Sequence, residues 1–173
     1  SGSDPIKNGV IIYQSTSGDA ETASSKLGDF EAVDSTLKST ISGGAMFYVT
    51  NTNAKVVLQN TKLDFDSSKV DLINASGNNS NSWGSQGSNG GKVTFTEIKE
   101  TLKGNITVDT ISNVNLYLTK NSKWTGSATI ENNSAGTTSK SPLTVNVDKS
   151  SKWVVTKSTT VSNLNVEKGG KVV

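Results

Sequence analysis

The chain has 173 residues, with 17 Lys against 15 acidic residues and no Cys, His or Arg. Those absences exclude disulfide scaffolds, thiolate nucleophiles, Cys/His zinc sites, Ser-His-Asp catalysis and bidentate guanidinium recognition of phosphate or carboxylate. Hydrophobic residues are 32% of the chain, while Ser, Thr and Asn supply about 65 positions, so it is either disordered or a fold that needs little core per residue. The net charge of +2 is scattered, without the basic stripe and interleaved aromatics of a nucleic-acid binder. No run reaches the about 18 apolar residues of a membrane span.

Residues 1–8 read as a tag remnant or linker, with Ser1-Gly2-Ser3 as a cloning scar or processing remnant. Residues 9–173 read as one domain, a C-terminal portion of a longer solenoid. Short runs of alternating β-branched and polar residues recur from end to end: Val10 to Tyr13, Met46 to Val49, Val114 to Leu118, Leu143 to Val147. Each is the pattern of a half-buried strand. No segment offers a helical period over three turns, and Asp19 to Ser25 reads as loop.

One template repeats along these runs. Phe30-x-Ala32-x-Asp34-Ser35-x-Leu37 matches Val56-x-Leu58-x-Asn60-Thr61-x-Leu63. Leu116-x-Leu118-x-Lys120-Asn121-Ser122-Lys123-Trp124 matches Val145-x-Val147-x-Lys149-Ser150-Ser151-Lys152-Trp153, and a last copy runs from Leu164 to Val172. Copies about 19 to 37 residues apart with no helices between them predict an all-β, right-handed parallel β-helix of about six to eight coils, turning at the polar pair. A β-sandwich is the alternative, and the resemblance between turns argues against it. Raw edges at Gly9–Tyr13 and Lys171–Val173 predict end-to-end self-association.

Asn74 to Gly91 breaks the rhythm as a loop of roughly 18 residues. Its one large apolar side chain, Trp83, either stacks on a sugar ring or folds back onto the outside of the domain. Asn89 belongs to the same candidate ligand-binding loop. Lys123-Trp124 and Lys152-Trp153 stack in register under this fold. They form either a linear surface for an acidic polymer or a pair of corners with both Trp inward. Asp19 with Glu21, and Asp64 with Asp66, are spaced to share a strand face and could offer oxygens to one hard cation. Asp109 could join such a site from another coil. Catalysis would have to work through carboxylates, Lys, Tyr or metal, and no enzymatic activity is expected.

The segments Ser17-Gly18-Asp19-Ala20-Glu21, Phe47 to Thr52, Ser82-Trp83-Gly84, Gly87 to Gly91 and Leu102 to Ser112 resemble, in this order, motifs of a bacterial family. These are the exported carbohydrate-binding domain-containing proteins of Clostridia and related Firmicutes, with a pectate-lyase-like parallel β-helix. The resemblance runs from about Gly9 to the C-terminus. It implies a secreted or cell-surface protein that binds acidic or cellulose-like polysaccharide, with calcium on the β-helix and no established lyase activity. Asp19, Glu21 and Asp109 are calcium candidates on its strength. The alternative is a surface adhesin or structural stalk that contacts a host or cell-surface protein through a flat face.

Overall fold

A computed structural model describes residues 8–14, 28–79 and 83–173. The described residues are all β, and every strand pairing between them is parallel. Strands are numbered in chain order. One sheet runs β1 (Val10–Tyr13), β4 (Ala45–Thr50), β7 (Asp71–Ala75), β10 (Ile106–Asp109), β13 (Ala128–Glu131). A six-stranded sheet runs β2 (Gly28–Val33), β5 (Thr52–Gln59), β8 (Gly91–Ile98), β11 (Asn113–Thr119), β14 (Leu143–Val147), β16 (Asn163–Val166). Two further sheets hold β3 (Thr36–Lys38) with β6 (Lys62–Asp64), and β9 (Thr101–Lys103), β12 (Lys123–Gly126), β15 (Lys152–Val155) with β17 (Lys171–Val172). No ladder joins β6 to β9. No helix among the described residues is long and apolar enough to cross a membrane.

The repeat template and the pairing register coincide. Phe30 pairs with Val56, Ala32 with Leu58 and Leu37 with Leu63. Leu116 pairs with Val145, Trp124 with Trp153, and Leu164 with Val145 on the other side. Inward positions stack into one core of Val, Leu, Ile and aromatic side chains, including an edge-to-face series Phe30–Phe47–Phe95 with ring centroids 5.4 Å apart at each step. Because the side-chain period along a strand is two, each repeat needs only a few apolar residues to fill its share. That is how a chain only 32% hydrophobic builds a continuous core.

The polar pair of the template is a corner. Asp34, Asn60, Lys99 and Lys120 each follow a strand of the six-stranded sheet and each has a left-handed backbone, with φ of 51°, 46°, 51° and 51°. Asn and Asp tolerate that conformation better than Lys. The next polar position closes the corner by side chain: the Ser122 N–H donates to Ser151 Oγ (3.1 Å) and the Glu100 N–H to Ser122 Oγ (3.1 Å). Asn8, within the segment expected to be linker, accepts the Ala45 N–H at 2.9 Å. At the other end β16 is exposed throughout, with Leu164 and Val166 uncovered.

Candidate functional site

Two long excursions leave the same corner, between the five- and six-stranded sheets. Residues 76–90 join β7 to β8, and residues 132–142 join β13 to β14. Asp109, at the end of β10 between them, ties both down. Its Oδ2 accepts the Gly77 N–H (2.8 Å) and Asn133 Nδ2 (3.0 Å). Its Oδ1 accepts the Ile111 N–H (3.2 Å) and the Ser112 hydroxyl (2.6 Å). A buried carboxylate with four donors is a loop clamp.

Asn89 is buried and does a similar job inside the first excursion. Its Nδ2 donates to the carbonyls of Asn78 (2.7 Å) and Trp83 (3.1 Å), and its Oδ1 accepts the Asn78 N–H. Asn78 Nδ2 donates to Thr50 Oγ1 (2.8 Å) and to the same Trp83 carbonyl (3.0 Å). Trp83 is thus held at its backbone by two amides. Its ring stacks on Tyr13 of β1, with centroids 4.4 Å apart and planes at 25°. Trp83 is half-buried and Tyr13 is 49% exposed. The two asparagines that hold the Trp83 carbonyl also line a polar cleft of about 70 Å³, together with Asn79, Gln86, Asn133 and the Ser134–Ala135 turn. An aromatic face next to amide donors and acceptors suits a hydroxyl-rich ring, whose C–H face packs on the π surface while its hydroxyls bond to the amides.

Other expected site residues fall elsewhere. Trp124 and Trp153 are core residues and offer no ring to a polymer. They stack inside the domain, and their Nε1–H groups donate to the carbonyls of Gly104 (2.8 Å) and Gly126 (3.0 Å). Alternation along β12 and β15 turns the neighbouring lysines outward. Lys123 pairs in register with Lys152 and Lys152 with Lys171, a column of three like charges on adjacent strands. No carboxylate among the described residues pairs with them. Asn89 is a tether for the loop, as above, with its side chain turned inward.

The calcium set implied by the resemblance does not fit Asp109, whose oxygens face four protein donors. Asp19 and Glu21 lie outside the described residues, as does the Asp19 to Ser25 loop. No group of three or more acidic side chains able to hold a metal occurs among the described residues. Asp66 is exposed and accepts the Ser68 hydroxyl (2.5 Å) and N–H (3.1 Å), which together hold its carboxyl below the usual range. Lys69 stands 4.0 Å away.

Periodicity missed one repeat. Phe95-x-Glu97-x-Lys99-Glu100-Thr101-Leu102 occupies the same template, with Glu97 in the column of Leu58 and Leu118. A charge at an apolar position hid it, although aligning Phe95 with Val56 and Leu116 reveals it. Tyr13 and Asn133 were missed because each reaches the site from a distant part of the chain. No family model, no curated protein and no solved structure matches this chain.

Proposed function

We propose that the chain is a noncatalytic polysaccharide-binding module of a secreted or cell-surface bacterial protein, built as a right-handed parallel β-helix. What supports the architecture is that the sheets gather every third strand in parallel register, stepping by two only at β14–β16 and β15–β17, a connectivity for which right-handed crossovers are the rule. The likeness of five sequence motifs to exported carbohydrate-binding β-helix proteins points the same way. The observation that carries the binding role is the Tyr13–Trp83 stack, fixed by Asn78 and Asn89 beside an amide-lined cleft. An aromatic locked before binding loses little entropy when ligand arrives. The Lys123–Lys152–Lys171 column favours an acidic polymer: in-register like charges destabilise a sheet unless something neutralises them.

Retention on immobilised polygalacturonate and on cellulose tests the reading. The wild-type chain is retained on at least one matrix, and Trp83→Ala is not. Equal retention of wild type and Trp83→Ala, or none by either, overturns it. The adhesin reading draws on the outer face of the six-stranded sheet, where Asn115, Asn146 and Asn165 form a hydrogen-bonded column at 2.9 Å per step. Capture of a surface protein that is unaffected by Trp83→Ala would favour that alternative.

A further inference from the structure

Glu97 is fully buried, and neither carboxyl oxygen has a hydrogen-bond partner. It lies in register between Leu58 of β5 and Leu118 of β11, where every other repeat has an apolar residue. Glu100, also buried, stands at the corner that Ser or Thr fills in the other repeats except the last, where it is Gly170. One of its oxygens accepts the Thr61 N–H, and the other has no partner. Two glutamates thus share the interior at the one place where the third face of the domain is split, between β6 and β9. The corners on either side are tied by backbone bonds: the Lys62 N–H donates to the Ser35 carbonyl (2.8 Å), and the Lys123 N–H to the Glu100 carbonyl (2.7 Å). Between β6 and β9 no bond of that kind forms among the described residues, and the corner is crossed by the Asn60 N–H to the Ile98 carbonyl (3.1 Å) and the Thr61 N–H to the Glu100 carboxyl. An open groove runs along this seam, lined by Asp34, Asn60, Thr61, Lys62, Lys99 and Glu100 among others.

We propose that Glu97 and Glu100 act as a proton-held latch at this seam. While the pair carries its protons the repeats stay docked, and once the protons leave, β6 and β9 part along the groove. A neutral carboxylic acid can be buried at modest cost, whereas an ionised one without a counter-charge cannot. The surroundings supply no counter-charge. Inward neighbours from β5 and β11 are Leu58 and Leu118, and β9 and β12 turn Leu102 and Trp124 to the core. Lys62, Lys99 and Asp34 lie on the groove rim. Asp64 of β6, Lys103 of β9 and Lys123 of β12 are exposed. The charge whose field reaches Glu97 is that of Glu100, which opposes its ionisation.

Burial, and then that repulsion, push the Glu97 carboxyl well above the usual range. Burial raises Glu100 to about 7, against the opposing pull of the Thr61 N–H. The folded state therefore holds protons that the unfolded chain releases above its own carboxylate pKa of 4.5. The stabilising contribution of each is complete below that value; that of Glu100 is lost as pH rises through about 7, and that of Glu97 is lost in the same direction. Each such group lowers the folding constant about tenfold per pH unit inside its window.

The test is thermal melting of the full chain from pH 5 to pH 8, with amide exchange at Thr61 as the local readout. Melting temperature is expected to fall as pH rises in the wild type. The fall shrinks in Glu97→Gln and in Glu100→Gln, and is abolished in the double variant, since the amide mimics the protonated acid at every pH. Protection of the Thr61 amide, corrected for intrinsic rate, drops with rising pH in the wild type. A wild-type melting temperature that does not fall, or a slope that survives intact in the double variant, overturns the proposal. Should the Gln variants not fold, wild-type Thr61 protection that is unchanged between pH 5 and pH 8 overturns it equally.

Discussion

Trp124 and Trp153 lie face to face in the core, with ring centroids 4.6 Å apart and planes at 13°, and each donates its indole N–H to a glycine carbonyl one repeat back. The pair needs Gly126: a Cβ there would stand 2.7 Å from Trp124 Nε1 and 2.1 Å from the Gly104 carbonyl oxygen. Trp153→Ala is expected to cost about 4 kcal/mol, as large core truncations do. Gly126→Ala should be of similar severity by overpacking. Urea denaturation measures both, and a loss below about 1 kcal/mol for Trp153→Ala would mean the ring is not the packing element described here.

Asp109→Asn keeps the size of the clamp but turns an amide toward donors. The expected loss is about 2–3 kcal/mol, since bonds to a buried carboxylate are the stronger kind. The loss should be equal in EDTA and in millimolar calcium. A destabilisation seen only with calcium present would make Asp109 a metal ligand and refute the clamp.

Lys120 sits in the left-handed corner conformation that Asp34 and Asn60 occupy in earlier repeats. Its N–H bond to Asp148 Oδ2 (2.8 Å) uses the backbone and survives substitution. Lys120→Asn should therefore stabilise the chain by about 0.5 kcal/mol, raising the melting midpoint by about 1–2 °C. A lowered midpoint would show that the Lys side chain contributes something its exposure does not suggest.

Tyr13→Ala removes the ring beneath Trp83 while leaving the Asn78 and Asn89 tethers in place. Polysaccharide retention should weaken by about tenfold, roughly 1.4 kcal/mol. Circular dichroism should be unchanged, because Tyr13 is half exposed at a sheet edge. Undiminished retention would separate Tyr13 from the site. High salt should weaken binding further if the lysine column takes part.

The repeat template was legible because in-register parallel strands put like residues in like places. Phe30 over Val56 and Trp124 over Trp153 could be paired from spacing alone. The orientation of the tryptophans was legible too, through a rule that the paired Lys-Trp reading overlooked: neighbours on a strand point to opposite faces, so Lys123 and Trp124 cannot share one surface. The repeat containing Glu97 was hidden by its charge. Strand β4 reads as nearly continuous burial rather than alternation; at its end Thr50 lies under the loop residues Asn78 and Asn89. The Tyr13–Trp83 stack joins residues far apart in the chain, and no local pattern encodes such a contact.

Connections at the corner between the five- and six-stranded sheets differ widely in length. Asn51 alone suffices after β4, three residues follow β10, and the excursions after β7 and β13 are several times longer. The strands on either side keep their register regardless. Lengthening a surface connection adds closure entropy only slowly, so this corner is a port at which foreign sequence can be spliced. A peptide epitope inserted at the exposed Ser134–Ala135 turn would be displayed from a rigid edge, with its neighbours in the stack left as they are.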